Sequence, residues 1–327
     1  MKKYSILVLG GAGYIGSHMV KDLLDYGHSV VILDDLSTGH ETSISGGIFI
    51  KGHLGDADLL DKVFSENPID AVMHFAAYSL VGESVSAPLK YYRNNLAETI
   101  ELLAVMKRHH IKRFIFSSTA AVYGEPLEVP IKEDHPCNPT NPYGKTKYAV
   151  EGLLKDCDNA HGLKHVCLRY FNAAGAHASG MIGEQHTHET HLIPLILKVA
   201  AGLQNNIRIF GSDYPTPDGT CIRDYIHVSD LAQAHMLALE YLMSGGASAT
   251  FNLGNSTGYS VLEVIRAAEK VTGRTIPLIQ DERRPGDPAV LVAGSDNIRR
   301  ELGWHPQCEN LENIIETAWN WHRKGAE

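Results

Sequence analysis

The chain has 327 residues, enough for about two domains at roughly 150 residues each, or for one large α/β unit. Apolar residues make up 44% and charged residues 20%, close to the globular average, which excludes a disordered, collagen-like or coiled-coil chain. With 29 Lys and Arg against 38 Asp and Glu the net charge is −9, so general nucleic-acid backbone binding is excluded and any anionic ligand must be met by local groups.

In chain order, Met1-Lys2-Lys3 and the apolar run behind it imitate an export signal. The run stops after Leu9 at Gly10-Gly11-Ala12-Gly13, too early for a secretory segment, so a buried strand over Ser5–Leu9 is expected. A helical pattern follows at Tyr14–Tyr26. Further strands are expected at Ser29–Leu33, Ile48–Ile50, Ala71–Phe75, Arg113–Ser117 and His165–Tyr170, interspersed with helices at Asp58–Glu66, Tyr91–His109 and Tyr143–Ala160. Short apolar runs alternating with longer helical periods mark βαβ units, whose parallel strands are covered on both faces and so read as unbroken apolar stretches. Beyond about Ala178 the pattern loosens into Gly- and Pro-rich loops at 213–219 and 283–288. The expected fold is α/β: a Rossmann-type doubly wound parallel sheet over residues 1–178, then a smaller C-terminal α/β substrate lobe over 179–327, with some chain crossing back.

No stretch reaches the ~18 uninterrupted apolar residues of a membrane-spanning helix. The five cysteines are odd in number, widely spaced and lack a Cys-x-x-Cys pair, as expected of reduced thiols in a cytoplasmic protein. The helix at Tyr91–His109 carries two apolar lines, Leu96, Ile100 and Leu103 on one and Leu102, Val105 and Met106 on the other. Either it is buried deep in its own domain or one line is the interface of a homodimer. The basic run at 107–113 suits the negative end of that helix's dipole better than it suits nucleic acid.

Gly10, Gly13 and Gly16 follow a strand and open a helix, the context a dinucleotide phosphate turn requires. Gly10 permits the tight turn, Gly13 lets backbone approach a pyrophosphate, and Gly16 allows close helix–strand packing, while the helix N-terminus supplies N–H groups. The second strand ends in Asp34-Asp35, where a carboxylate can accept both ribose hydroxyls and would repel a 2′-phosphate, favouring NAD over NADP. Phe75-Ala76-Ala77 ends the fourth strand with small residues where the cofactor must pass close to backbone.

Tyr143 and Lys147 stand four apart, on one face of the helix expected there. A tyrosine acting as a base near neutrality must have its pKa of about 10 lowered by roughly three units, and both Lys147 and the nicotinamide ring of NAD could favour tyrosinate. A hydroxyl partner is expected from Ser117-Ser118-Thr119, at the strand end where α/β folds place ligands.

On these residues the chain resembles the extended short-chain dehydrogenase/reductases, and within them, nearly end to end, the sugar-nucleotide 4-epimerases. The motifs that carry the resemblance are Gly10–Gly16, Leu33-Asp34-Asp35-Leu36, His74-Phe75-Ala76, Val81-Gly82-Glu83-Ser84, Tyr91-Tyr92-x-Asn94-Asn95, residues 116–124, Tyr143-Gly-Lys-x-Lys147, Arg169-Tyr170-Phe171-Asn172, residues 219–228 and Arg283-Arg284-x-Gly286-Asp287. The resemblance implies a tightly held NAD that takes hydride from C4 of a UDP-hexose and returns it to the opposite face after the 4-keto sugar rotates. It makes Tyr143 the base, Thr119 the partner of the reacting oxygen and Lys147 the group that grips the nicotinamide ribose and lowers the tyrosine pKa. Gly10, Gly13, Tyr14, Ile15, Gly16, Asp34, Asp35, Phe75, Ala76, Ala77, Asn94, Tyr143, Lys147, Tyr170 and Phe171 are then cofactor residues, and Thr119, Tyr143, Asn172, Phe210, Arg223, Arg284 and Asp287 substrate residues. Independently, a diphosphate in an acidic protein needs fixed cationic forks, which Arg223 and Arg284 can supply unless they are structural partners of Asp224 and Asp287.

Against the commonest pattern of that family, His53 replaces an aspartate at the adenine, Ser79 a lysine near the cofactor and His191 an asparagine beside the phosphates, while Leu291 leaves acceptance of N-acetylated sugars open. The chain has Ala120-Ala121 where dehydratases carry an Asp-Glu pair, so dehydration and decarboxylation stand behind epimerisation, and a non-catalytic NAD-sensing module stands further behind. The histidines at 186, 188 and 191 miss the zinc-protease spacing, and a substrate-facing loop without metal is expected there.

Overall fold

The structure, a computed structural model, describes residues 2–187, 189–284 and 287–324. Its strands are β1 (Ser5–Leu9), β2 (Ser29–Asp34), β3 (Ile48–Lys51), β4 (Ala71–His74), β5 (Arg113–Thr119), β6 (Lys164–Tyr170), β7 (Asn172–Ala174), β8 (Ile207–Phe210), β9 (Ile222–His227), β10 (Ala249–Leu253), β11 (Gly258–Ser260), β12 (Leu278–Asp281) and β13 (Val290–Leu291). The helices that concern the sites are α1 (Tyr14–Asp25), α2 (Ala57–Glu66), α3 (Val81–Ser86), α4 (Pro88–Tyr91), α5 (Glu98–Arg108), α6 (Pro142–His161) and α7 (Leu192–Ala200).

Two compact units result, one of Met1–Gly124, Pro136–Arg169 and Ala232–Phe251, the other of Glu125–His135, Tyr170–Leu231 and Asn252–Glu327. The boundary expected after residue 178 lies nine residues beyond an observed switch at 169, and two short excursions cross it. The first unit is built on a seven-stranded sheet of order β10-β6-β5-β4-β1-β2-β3. From β1 the chain winds outward through β2 and β3, then returns to lay β4 on the other side of β1. This reversal places the ligand crevice of an open α/β sheet at the C-terminal ends of β1 and β4. The register there aligns Leu9 with both Leu33 and His74. Ile6, Leu7, Val72, Phe114 and Phe116 are all but inaccessible, as strands covered on both faces require. In the second unit β9 lies between β11 and β13 and also pairs with β7, while β8 and β12 form a separate pair.

The expected helix at Tyr91–His109 is interrupted. After α4 the chain makes a π-helical turn over Tyr92–Ala97 before α5 begins. The cause is Asn95, whose amide donates to the Tyr78 carbonyl and to Thr146 Oγ1 and whose Oδ1 accepts from Tyr78 N, pulling this turn wide. Of the two apolar lines, Leu102, Leu103, Val105 and Met106 are core, whereas Ile100 is exposed.

His74 lies wholly buried, 3.0 Å from Thr99 Oγ1. Burial, helped by the charge of Lys147, holds its imidazole down to about 3 from an ordinary 6.5. Below pH 6.5 the unfolded chain takes a proton that the native state refuses, so stability present above that pH is lost on acidification. Going from pH 7 to pH 4.5 should cost about 2 kcal/mol through this group. Urea midpoints at the two pH values should show a smaller loss for His74→Gln than for the parent; an equal loss refutes the assignment.

Candidate active site

The turn after β1 is fixed by contacts that leave no room for side chains. Gly10 has φ +77°, and a Cβ there would meet Ala76 N at 2.6 Å. At Gly16 a Cβ would lie 2.1 Å from the Gly10 carbonyl oxygen. Gly13 differs: its Cβ would touch only Gly10 O at 3.3 Å, so that side is open for a ligand. Gly13 caps α1 without a side-chain hydrogen bond, and the first turn, which includes Tyr14 and Ile15, carries no acid. The positive end of a helix with neither a side-chain cap nor an acid in its first turn fits a pyrophosphate. Gly16→Ala should therefore lose bound dinucleotide, measured as NAD released from heat-denatured protein, and melt several degrees lower; full NAD content refutes the packing role.

The cleft beside this turn is lined by Gly10, Gly13, Asp34, Asp35, His53, Phe75, Ala76, Ala77, Asn94 and Glu98, all of the first unit. Asp34 accepts from Ala12 N and Leu36 N at 2.9 Å each and so clamps the turn to β2. Asp35 Oδ1 accepts from Ser37 N. His53 Nδ1 accepts from Gly55 N, and its Nε2 lies 3.9 Å from Asp35 and 3.6 Å from Glu98. Glu98, which sequence reading missed, is raised by burial against the opposing influence of His53. It restores a carboxylate to the wall where His53 replaces one. A cleft lined by three carboxylates, with no Lys or Arg for a 2′-phosphate among its lining residues, fits NAD. Asn94, in the π turn, donates to Asn95 Oδ1.

The reacting groups stand at the end of β5. Asn141 caps α6 by accepting from Gly144 N, Pro142 starts the helix, and Tyr143 and Lys147 follow one turn apart, 8% and 3% exposed. Thr119, whose Oγ1 accepts from Ala121 N, stands beside the Tyr143 phenol and works to lower its pKa. The other hydroxyls of the Ser117-Ser118-Thr119 run are placed differently, since Ser118 Oγ donates to Glu151 and the Ser117 carbonyl accepts from Lys147 Nζ at 2.8 Å. Burial raises the Tyr143 pKa, and the neighbouring Thr119 hydroxyl offsets part of that rise. Lys147 is itself pushed down to about 7 by burial, against the opposing charge of Glu151 a turn away, its ammonium lying by the Ser117 carbonyl and 4.7 Å from the Phe116 ring centroid. Behind the trio Glu151 holds Arg169 through two hydrogen bonds of 2.9 and 2.5 Å, and Arg169 also donates to Tyr123 Oη. Sequence reading did not find this pair.

The second unit carries the remaining predicted residues. Tyr170 ends β6, Phe171 follows, and Asn172 in β7 donates to the Asp224 carbonyl. Arg223 is paired with Asp287, and the Arg284 guanidinium sits 4.0 Å from the Phe210 ring centroid. Asp224 pairs with neither arginine; it accepts backbone N–H groups of Asn255, Ser256 and Ala293. Gly286 of the arginine motif and His188 lie outside the described residues.

The geometry defines a dinucleotide-dependent enzyme of the Tyr-x-x-x-Lys type, and the profile of the NAD dependent epimerase/dehydratase family matches residues 6–254. The chain belongs to that family. It is 54% identical to a UDP-glucose 4-epimerase of Halalkalibacterium halodurans over 98% of this chain and 96% of that protein. A crystal structure of UDP-glucose 4-epimerase superposes with a TM-score of 0.96 at 54% identity, covering 98% of both chains. A UDP-glucose 4-epimerase from Brucella ovis in complex with NAD superposes at 0.94 with 46% identity, covering 97% of both.

Proposed function

We propose that this chain interconverts UDP-galactose and UDP-glucose by NAD-dependent epimerisation at C4, through a transient 4-keto sugar. The reading rests on the buried Tyr143 phenol beside Thr119, one helical turn from Lys147 in the same unit as the uncapped glycine turn. When bound, NAD supplies the hydride acceptor and a positive ring charge. Tyr143 removes the C4 hydroxyl proton as hydride leaves C4, making the ketone, and returns a proton when hydride comes back to the other face. Thr119 holds the reacting oxygen, and Lys147 holds the nicotinamide ribose. Asn172, Phe210, Arg223, Arg284 and Asp287 hold the uridine diphosphate, with Arg284 and Arg223 neutralising its phosphates. Ala120 and Ala121 sit in the 3₁₀ turn after Thr119 and offer no acid or base for dehydration.

Incubating purified protein with UDP-galactose and no added NAD should yield UDP-glucose by proton NMR. No conversion at any pH, even with NAD supplied, overturns the enzyme reading and leaves an NAD-binding module. Leu291 is half-buried in β13, and UDP-galactose should turn over faster than UDP-N-acetylgalactosamine. A reversed preference would transfer the assignment to an N-acetylhexosamine epimerase.

The protein works as a cytoplasmic homodimer in this proposal. Val85, Leu89, Ile100 and Tyr148 are 63%, 83%, 45% and 44% exposed on α3, α4, α5 and α6, which supports a helical interface between copies. Free cysteines and the lack, among the described residues, of a helix long and apolar enough to cross a membrane support the location.

A further inference from the structure

We propose that Glu184, His186, Glu189 and His191 form a structural site for a divalent transition metal, with zinc the best fit. One ligand atom from each of the four residues lies within 4.8 Å of all the others. His186 Nδ1 stands 3.3 Å from Glu184 Oε1 and 3.2 Å from Glu189 Oε2, and His191 Nδ1 stands 2.7 Å from Glu184 Oε1 and 3.0 Å from Glu189 Oε1. Tetrahedral zinc with bonds of about 2.0–2.2 Å has ligand–ligand edges of about 3.3–3.6 Å, so a small outward movement of these side chains accommodates the ion.

The orientation of the buried carboxylate is the second, independent observation. Glu184 is 4% exposed, and its Oε1 makes no aligned hydrogen bond although His191 Nδ1 and His186 Nδ1 stand 2.7 and 3.3 Å away, since both imidazoles are hydrogen-bonded to Glu189 instead. A shared cation would replace the imidazole protons in those contacts and take up the buried Glu184 oxygen that they leave unaligned. The supporting groups are already fixed. Thr190 N and His191 N each donate to Glu189 Oε1 at 2.8 Å, and Trp321 Nε1 donates to the Glu184 carbonyl at 3.0 Å. Two carboxylates and two imidazoles, the latter giving up their protons to the incoming ion, match a doubly charged ion in charge and hardness. With four protein ligands the site is closed, so the ion ties the loop after β7 to the start of α7 and takes no part in the chemistry at Tyr143. The spacing Glu-x-His-x-x-Glu-x-His lies on a loop, which is why a search for the helical zinc-protease pattern passes over it.

The test uses untagged full-length protein, stripped with EDTA, desalted and titrated with zinc chloride against a chromophoric chelator. One zinc per chain with a Kd of ~1 µM or tighter is expected. The double substitution Glu184→Gln/His191→Ala should weaken that site at least about 100-fold while circular dichroism stays native. On the parent protein, cobalt should give the intense visible absorption of a tetrahedral centre, a readout that needs no variant. Absence of one-to-one binding by the parent, binding untouched by the double substitution, or only the weak spectrum of octahedral cobalt overturns the proposal. Neither NAD nor UDP-sugar enters these measurements.

Discussion

Replacing Tyr143 by phenylalanine should lower kcat on UDP-galactose by at least about 1000-fold, with melting temperature and NAD content near those of the parent. The phenol is the ionisable group beside Thr119, and the phenylalanine ring fills the same buried space. Burial raises the Tyr143 pKa in the free protein, and a positively charged nicotinamide, when bound, would supply lowering that a base needs. Steady-state kinetics beside NAD quantified after denaturation checks both halves. Turnover within tenfold of the parent would remove Tyr143 as the base, and loss of NAD would show a binding role instead.

Breaking the Glu151–Arg169 pair should be the most damaging single change to stability. Both side chains are 7% exposed, and Glu151→Ala leaves a guanidinium without its carboxylate beneath the sheet end that carries Thr119. The expected cost is about 3–5 kcal/mol, read from denaturant unfolding, and Glu151→Leu combined with Arg169→Met should recover much of it. Recovery would show that the uncompensated charge, rather than the missing contact, does the damage. A single substitution costing under about 1 kcal/mol would refute the burial argument.

The strands of the first sheet are legible because being covered on both faces makes them continuous apolar runs, and Ser5–Leu9 is observed with the expected bounds. The helix at Tyr91–His109 misleads. Its side chains have helical spacing throughout, but the turn at Asn95 widens under hydrogen bonds to Tyr78 and Thr146, partners 17 and 51 residues away that no local period reveals. The same holds at the site. The glycine turn, Asp34, Tyr143 and Lys147 are spelled out locally, since each needs its residue type at a set spacing. Glu98, Glu151 and Arg169 are not, because ordinary charged residues acquire meaning only when the fold buries them. The direction of the Tyr143 shift was equally hidden: a lysine four residues on suggests lowering, whereas the fold buries the phenol, and burial raises it.

The wide turn at Tyr92–Ala97 sets a rule about length. A π turn holds about one residue more than an α-helix over the same rotation, so removing one residue here would let the segment tighten into regular α-helix with its flanks nearly in phase, while drawing Asn94 back from the cleft wall. Helix phase would survive such a deletion, but the hydrogen bonds of Asn95 to Tyr78 and Thr146 would not, so the length of this segment and the identity of residue 95 are constrained together.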